Sequence, residues 1–428
     1  MPPTPTYPGV YIEEVPASVR AIEGVPTSIT AFIGRAERGP VDKPVRIQSL
    51  ADYDQRFGGL WADSMMSHSI RHFYLNGGAD ALVVRVHNSG VAATFTLHGE
   101  AGTLMLEAAN PGSWADNLEV EVNHQTQSPR DDASFNLAVR EVVNGKAIAQ
   151  EVFHDLSIRL DDDRCVDRIL KQQSEFLRVR GDMPTERPNP GPPEGRTNGG
   201  DGEDISFAQI ADPALKPIHR GIWALDDADI FNMVCIPPFS NDTDVDAETW
   251  TAAQEFCRER RAILIIDPPS TWSRPSDVIS GSELTGSMPA RNQNAAVYFP
   301  RVKMANPLMG NRSEIFAPCG LIAGIYARTD ARRGVGKAPA GKKATLVVVD
   351  GLAYTMIDSE SGKLNRMGVN CLRTFPDTGP VVWGSRTTVG ADYLGSDSGF
   401  MQNYSKDTGF VCKRRYQYCF HISPAKIH

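Results

Sequence analysis

The sequence predicts an α/β fold built on a mainly parallel β-sheet, with a small β domain inserted into it. Apolar runs without polar alternation, such as residues 81–84 and 262–266, are typical of strands that are covered on both faces of a sheet. These runs alternate with segments of helical periodicity, which favours a parallel sheet with helices on its faces. A third observation is a change of pattern at residues 91–160, where short β-like runs and turn residues predict a separate β unit.

The first part of the α/β core is predicted over residues 21–90. Ser49 is a predicted helix N-cap with Asp52 at the capping-box position, and Gly58 and Gly59 end that helix. A second helix is predicted from apolar residues at helical spacing. Those residues are Met66, Ile70, Phe73 and Tyr74. The predicted strands of this part are 28–33, 45–47 and 81–84.

The inserted β domain is predicted over residues 91–160. Its predicted strands are 92–97, 103–108, 118–122, 135–143 and 148–153. Asn144-Gly145 between the last two is a strong hairpin signal. Residues 161–204 are predicted to contain a helix over 163–179 and then a disordered, mobile loop at 181–204, because the loop is rich in glycine, proline and acidic residues.

The α/β core is predicted to continue over residues 205–390, and residues 391–428 form a short final segment. The predicted strands of this second part are 231–236, 262–266 and 345–349. Trp250, Ala253 and Cys257 mark one face of a helix between the first two of them.

The composition limits the classes of function. The chain has 428 residues, with 44 Lys and Arg against 52 Asp and Glu, so its formal net charge is −8. That balance argues against a general nucleic-acid binder. No run of about 18 apolar residues predicts a membrane span, and the proline-rich N-terminus is unlike a secretory signal. Seven scattered cysteines without a Cys-x-x-Cys pair indicate reduced thiols in a protein made in the cytoplasm.

Residues 1–20 are predicted to form an extended arm. Prolines flank a run of strand-forming residues, which disfavours a helix. Apolar side chains fall on both faces of this strand, so we expect it to be covered on both sides. It is either an edge strand of its own domain or an arm that pairs with a sheet of a neighbouring subunit by strand addition. The residues that carry the second interpretation are Tyr7, Gly9, Val10, Tyr11, Ile12, Glu13 and Val15.

Three stretches resemble catalytic motifs without completing them. Residues 336–343 have the spacing of a phosphate-binding loop, but Lys343 replaces the Ser or Thr that would reach a metal ion. Residues 395–399 resemble a serine-protease fragment, but Asp397 occupies the position of the nucleophile. Asp267 follows a strand, where α/β enzymes place acids, yet the two prolines after it favour a turn.

The other ionisable residues predict no site either. The nine histidines show no paired spacing for zinc, and Asp161-Asp162-Asp163 is interpreted as negative charge at a helix start. Lys413, Arg414 and Arg415 form a basic cluster, which is either a solvated face or a docking surface for an acidic partner. The residues therefore predict no catalytic group, cofactor or metal ion. An α/β hydrolase-like enzyme with Asp267 or Asp330 in a cleft remains the alternative.

The chain resembles the tail sheath proteins of contractile phages and related injection systems through a series of motifs that occur in order. The motifs are Tyr7–Val15, Ala31–Pro40, Phe73–Arg85, Pro111–Asn117, Ala323–Asp330, Lys337–Pro339, Gly368–Asn370 and Val382–Thr387. The similarity covers about residues 7–390. Two features depart from the family pattern: Gly336 stands where a tryptophan is often seen, and residues 391–428 contain only a faint match to the start of the family's C-terminal domain.

The resemblance implies a core of subtilisin-like topology without a catalytic triad, and a structural subunit rather than an enzyme. Such a subunit polymerises by strand exchange around an inner tube and contracts to drive that tube through a cell envelope. The implied partners are further copies of the chain, the inner tube protein, and baseplate and terminator or cap proteins, without nucleic acid or direct membrane insertion. The implied location is a phage tail or injection-system particle, after synthesis in the bacterial cytoplasm.

The same resemblance assigns residues 7–15 to the subunit–subunit arm and Lys413, Arg414 and Arg415 to an inner-tube or partner contact. The short segment after residue 390 leaves three interpretations open. The chain is a short sheath variant, a non-polymerising capping or adaptor subunit, or a truncated product.

Overall fold

The computed structural model describes residues 26–126, 133–240, 243–280 and 288–389. The predicted arm at residues 1–20, with its strand at 7–15, lies outside the described residues. So does the segment 391–428, with Lys413, Arg414 and Arg415.

The described residues form 18 strands and eight α-helices. The strands are β1 (Thr30–Gly34), β2 (Val45–Ile47), β3 (Ala81–Arg85), β4 (Thr94–Gly99), β5 (Gly102–Ala108), β6 (Leu118–Asn123), β7 (Ser134–Val143), β8 (Lys146–Ser157), β9 (Leu177–Val179), β10 (Gly195–Thr197), β11 (Met233–Cys235), β12 (Ile263–Ile266), β13 (Ala295–Phe299), β14 (Val302–Asn306), β15 (Arg312–Phe316), β16 (Gly351–Leu352), β17 (Val369–Phe375) and β18 (Gly379–Val382). The helices are α1 (Leu50–Phe57), α2 (Met65–Leu75), α3 (Val166–Gln173), α4 (Phe207–Ile210), α5 (Ala247–Arg260), α6 (Pro275–Ser280), α7 (Cys319–Arg333) and α8 (Asp358–Arg366). Among these helices, none has the length and apolar character needed to cross a membrane.

The largest sheet has eight strands in the order β18-β17-β13-β12-β11-β1-β3-β2. The six inner strands run parallel, and the two outer strands are antiparallel to their neighbours. The prediction of a mainly parallel sheet is therefore confirmed. Strand β1 pairs with β11 in the register Thr30 to Met233, so the segments before and after the insertion share one sheet.

Both faces of this sheet are covered. In β1, Phe32 packs into a core with helices α1, α2 and α7, whereas Ala31 and Ile33 pack into a second core with helices that include α5 and α8. Side chains alternate between the two faces of a strand. A strand buried on both faces must therefore be apolar at successive positions, which explains the unbroken apolar runs in the sequence.

Helix α1 begins and ends where the sequence predicts. The Ser49 side chain accepts a hydrogen bond from the Asp52 N–H at 3.1 Å, which satisfies a donor that the first helical turn leaves free. At the other end, Gly58 has φ +91°, a left-handed conformation that ends helices and favours glycine. Local capping chemistry thus sets both ends of this helix.

Helices α2 and α7 approach each other through two glycines. A Cβ atom added to Gly320 would lie 2.0 Å from the Ser69 carbonyl oxygen, and one added to Gly324 would lie 2.5 Å from the Phe73 carbonyl oxygen. Both distances are far below van der Waals contact, and backbone atoms cannot move aside as a flexible side chain can. The glycines of α7 therefore set the distance between the two helices.

The insertion has its own hydrophobic core. One antiparallel sheet has the order β10-β4-β5-β9 and another the order β6-β7-β8. Phe95, Phe135 and Leu170 represent the buried cluster between these sheets and α3. Asn144 and Gly145 join β7 to β8 with φ +52° and +74°, which agrees with the predicted hairpin turn.

Two sequence predictions within residues 161–204 need correction. The helix predicted over 163–179 ends at Gln173, because Leu177–Val179 pairs with β5 instead. Residues 181–204, predicted as a disordered loop, contain β10, which pairs with β4. Backbone hydrogen bonds of this segment explain its fixed course despite its few apolar side chains. They include Gly191 N–H to the Val122 carbonyl and Gly200 N–H to the Val91 carbonyl.

The strand predicted at 345–349 is also wrong, since these residues make only an isolated bridge from Thr345 to Val381. The Asn76 side chain accepts a hydrogen bond from the Val347 N–H at 2.9 Å, so that donor is not available to a strand partner. Val348 then has φ +60°, which a β-branched residue rarely adopts. Strand-forming composition is overridden by this side-chain contact.

Replacing Gly324 with alanine should destabilise the protein by about 1–3 kcal/mol, because the added methyl group overpacks the contact between α2 and α7. Gly362→Ala is the matched control, since Gly362 is also helical but an added Cβ meets nothing within 4 Å. Helix propensity alone should make the control neutral or more stable by up to about 1 kcal/mol. Urea unfolding of both variants measures the difference, and equal effects would contradict the glycine contact.

Candidate functional site at the junction of core and insertion

The chain crosses between the core and the insertion in two neighbouring segments. The outgoing segment follows β3, and the returning segment follows β10. They pair with each other at two isolated bridges, Asn88 with Glu203 and Val91 with Gly200. The insertion is therefore joined to the core by a hydrogen-bonded double crossing.

Arg85, the last residue of β3, lies at the base of this crossing and is only 3% exposed. Its guanidinium donates four hydrogen bonds to backbone carbonyls and forms no ion pair with a carboxylate among the described residues. The acceptors are Ala36 (2.8 Å), Gly39 (2.9 Å), Glu37 (3.2 Å) and Pro111 (2.7 Å). Three acceptors belong to the core loop and one to the insertion, so a single side chain holds the two parts together.

Burial lowers the pKa of Arg85 to about 10 because the charged form loses its hydration. The guanidinium therefore stays protonated at neutral pH. Its planar set of donors can address several acceptors in fixed directions, which a lysine ammonium cannot reproduce. The four carbonyls thus accept hydrogen bonds from a charged group that has little access to water.

A second set of contacts surrounds Arg85. The Asp201 carboxylate accepts hydrogen bonds from the Ser113 N–H at 2.9 Å and the Ser113 hydroxyl at 2.6 Å. Gly112 has φ +139°, and a Cβ there would lie 2.7 Å from the Trp114 ring and 2.9 Å from the Glu37 carbonyl oxygen. These contacts explain why a Pro-Gly-x-Trp segment fits at this place.

An ion pair also links the core loop to strand β7 of the insertion. Arg38 of the core loop donates to Glu141 of β7 at 2.8 Å, and the two side chains are 18% and 7% exposed. Because both groups are shielded from water, their attraction is screened less than that of a surface pair. Together, Arg38 and Arg85 fix the insertion against the core.

A cleft of about 810 Å³ lies beside the junction, between core and insertion. It contains a His219–Asp227 pair at 3.0 Å and the side chain of Ser174. The Ser174 hydroxyl donates to Glu151 at 2.6 Å rather than to the histidine. The cleft therefore lacks the nucleophile–base contact that hydrolytic catalysis by serine requires.

Asp267 and Asp330, the acids of the alternative enzyme hypothesis, have structural contacts. Asp267 follows β12 and accepts a hydrogen bond from the Cys319 N–H at 2.7 Å. Its side chain therefore caps the first turn of α7, although the two residues are far apart in sequence. Burial raises the pKa of Asp267 to about 6, but the adjoining cavity of about 10 Å³ has no room for a substrate. Asp330 accepts a hydrogen bond from the Thr27 hydroxyl at 3.2 Å.

The other predicted motifs take up no catalytic geometry. Residues 336–343 are followed by a turn and not by the helix that a phosphate-binding loop needs. Asp162 accepts a hydrogen bond from the Arg164 N–H at 2.8 Å, and α3 begins only at Val166. Residues 395–399 lie outside the described residues. Within the described ranges, no three His, Cys, Asp or Glu side chains form a group that could hold a metal ion.

The prediction that no histidines have a paired spacing overlooked His68 and His72. They lie one turn apart on α2, are 2% and 1% exposed, and contact the Phe316 ring at 5.0 and 5.1 Å between ring centroids. None of their four ring nitrogens has a hydrogen-bond partner. Burial lowers the pKa of His68 to about 4 and that of His72 to about 3, so both rings are neutral at pH 7.

Sequence reasoning also missed Arg85 as a junction residue. A single charged residue at the end of the unbroken apolar strand β3 was the available signal, because a charge there must find buried partners. The three motifs Ala31–Pro40, Phe73–Arg85 and Pro111–Asn117 meet at its guanidinium. These three segments, separated in sequence, are therefore neighbours in space.

The fold and the junction thus define a two-part α/β protein in which an inserted β domain is joined by buried hydrogen bonds to a core covered on both faces. Residues 224–388 match the family model described as the phage tail sheath protein central domain. Residues 224–388 are thus similar to a phage tail sheath central domain, and the resemblance stated from the motifs is confirmed. The comparison with curated proteins gives no match.

Solved sheath structures share the fold. The sheath tail protein of Listeria innocua has a TM-score of 0.58 at 13% identity, with 91% of this chain and 73% of that chain covered. The sheath tail protein of Desulfitobacterium hafniense has a TM-score of 0.54 at 14% identity, with 96% and 80% covered. The sheath complex of the extracellular contractile injection system PVC, in its contracted state, has a TM-score of 0.50 at 16% identity, with 97% and 72% covered.

Replacing Arg85 with methionine should lower the free energy of unfolding by about 3 kcal/mol or more, because buried carbonyls left without donors each cost about 1–3 kcal/mol. Arg46→Met is the control, since Arg46 is 55% exposed and pairs with Asp80 at the surface. Urea unfolding measures the loss. Limited proteolysis near residues 198–205 tests whether the crossing opens, and similar behaviour of the two variants would contradict the role of Arg85.

The buried histidine pair predicts an acid-sensitive stability. The unfolded chain binds protons near pH 6.5 and the folded histidines only near pH 3–4, so stability is full above pH 6.5 and falls as the pH decreases. The expected slope is about 1.4 kcal/mol per pH unit for each histidine. Urea unfolding from pH 7 to pH 4.5 should show a flatter slope for His68→Leu/His72→Leu. The exposed control His154→Leu should retain the full slope.

Proposed function

We propose that the protein is a structural subunit of a contractile tail sheath. The observation that carries this proposal is the match of residues 224–388 to the sheath central domain. That segment supplies five of the eight strands of the large sheet, β11, β12, β13, β17 and β18, so the matched domain is the structural centre of the molecule. The sheath fold of the solved structures supports the same function.

The subunit would polymerise as a helical tube around an inner tube protein. Strand addition of residues 7–15 to a neighbouring copy would tether the subunits, with the main-chain hydrogen bonds of the added strand giving the affinity. Lys413, Arg414 and Arg415 would contact the inner tube or another partner. The other proposed partners are baseplate and terminator or cap proteins, and the proposed location is a phage tail or injection-system particle.

Contraction would proceed by repacking of rigid subunits. The contacts of Arg38 and Arg85 support this mechanism, because they hold core and insertion in one orientation. A lattice of rigid bodies with two discrete packings can switch as a whole. We also propose that the core has a subtilisin-like topology and that subunits exchange strands. The PVC sheath complex, which was solved in its contracted state, supports the contraction step.

Negative-stain electron microscopy of the chain, alone and with an inner tube protein, should show striated tubes or sleeves. Deleting residues 1–16 should abolish them and leave the monomer folded by circular dichroism, because the tethering strand is removed. Deleting residues 1–6 is the matched control, since it keeps the predicted strand. Tubes from the longer deletion would overturn the arm, and rings or monomers from the full chain would favour a capping or adaptor subunit.

A further inference from the structure

A groove of about 560 Å³ lies between the last turns of α7 and the following segment up to Thr345. Its charged lining is entirely positive, with no acidic side chain among the lining residues. The cationic residues are Arg328, Arg332, Arg333, Lys337 and Lys343. We call this feature the basic groove.

The cations of the basic groove are short of counter-charges. Arg328 donates a hydrogen bond to the Thr345 carbonyl. Its pKa is lowered mainly by burial and to a smaller extent by the positive charge of Arg332. The other four cations form no ion pair within the part of the chain that the structure describes. The adjacent Lys342 is already paired with Asp377 at 2.7 Å, so that neighbouring acid is engaged outside the groove.

The dipole of helix α7 explains the positions of only some of these cations. Arg332 and Arg333 lie in the last turn of α7, where positive side chains interact favourably with the helix dipole. Lys337 and Lys343 lie beyond the helix and gain nothing comparable. Five cations around one concave surface create a positive potential, so the groove attracts anionic groups.

The chain itself contains a region of opposite net charge. Residues 91–204 contain 21 Asp and Glu and 11 Lys and Arg, so the net charge of the insertion is 11 − 21 = −10. The whole chain has a net charge of −8, which leaves −8 + 10 = +2 for all other residues. The negative charge is thus concentrated in the insertion, which includes the exposed residues Asp161 and Asp163.

We propose that the basic groove binds the acidic insertion of a second copy of this chain. The inference rests on the proposed sheath function, because contact between two unlike surfaces of identical subunits repeats from copy to copy and builds a helical assembly. Each exposed ion pair is weak on its own. Several pairs at every contact, repeated along the lattice, give an association that depends strongly on salt.

The first test reverses two charges of the groove in the full chain. Arg332→Glu/Lys337→Glu should weaken self-association at least tenfold in sedimentation velocity at roughly 50 mM salt, and the wild type should lose a similar factor at roughly 300 mM salt. The control is Lys363→Glu/Arg366→Glu, which makes the same charge change in the basic last turn of α8. Equal association of the two variants would overturn the proposal.

The second test identifies the occupant of the groove. A photo-reactive amino acid at the groove residue Ala338 is cross-linked in a mixture of ¹⁴N- and ¹⁵N-labelled chains, which separates links between copies from links within one copy. We expect links between copies to peptides of residues 91–204. Links to other regions, or none between copies, would overturn the proposal.

The two proposals fail in different ways. If the groove variant forms normal tubes by electron microscopy, the sheath function stands and this contact is wrong. If the wild type forms no tubes, the sheath function fails, whereas sedimentation and cross-linking still measure the contact between two copies directly.

Discussion

The architecture depends on one buried cation. Arg85 ends a strand of the large sheet and donates to three carbonyls of the core loop and one of the insertion. Little water can reach these partners, because Arg85 is only 3% exposed. A buried charge without its acceptors is costly, and buried carbonyls without donors are costly too. The orientation of the insertion is therefore coupled to the folding of the core.

Close packing adds a second constraint. Gly320 and Gly324 bring α7 against α2, and Asp267 holds the start of α7 at the end of β12. These contacts cover one face of the sheet, and α5 and α8 help to cover the other. The apolar faces of the large sheet are therefore covered within the chain itself.

The same residues show how far sequence reasoning reaches. Ser49 and Gly58 define α1 through local capping, and Asn144-Gly145 defines a hairpin through local backbone preference. The strand predicted at 345–349 failed because Asn76, distant in sequence, takes the Val347 N–H. The histidine pair of α2 is visible in the spacing, but the burial that keeps both rings neutral depends on Phe316.

The sequence by itself determined the parallel α/β core, the change to a β insertion, and the resemblance to sheath proteins. These follow from local periodicity, turn chemistry and the order of motifs, which need no knowledge of distant contacts. Only the tertiary structure decided the role of Arg85, the course of residues 181–204, and the grouping of five cations in the basic groove. Each of these depends on which segments meet in space, and hydrogen-bond partners separated by many residues leave no periodic signal in the sequence.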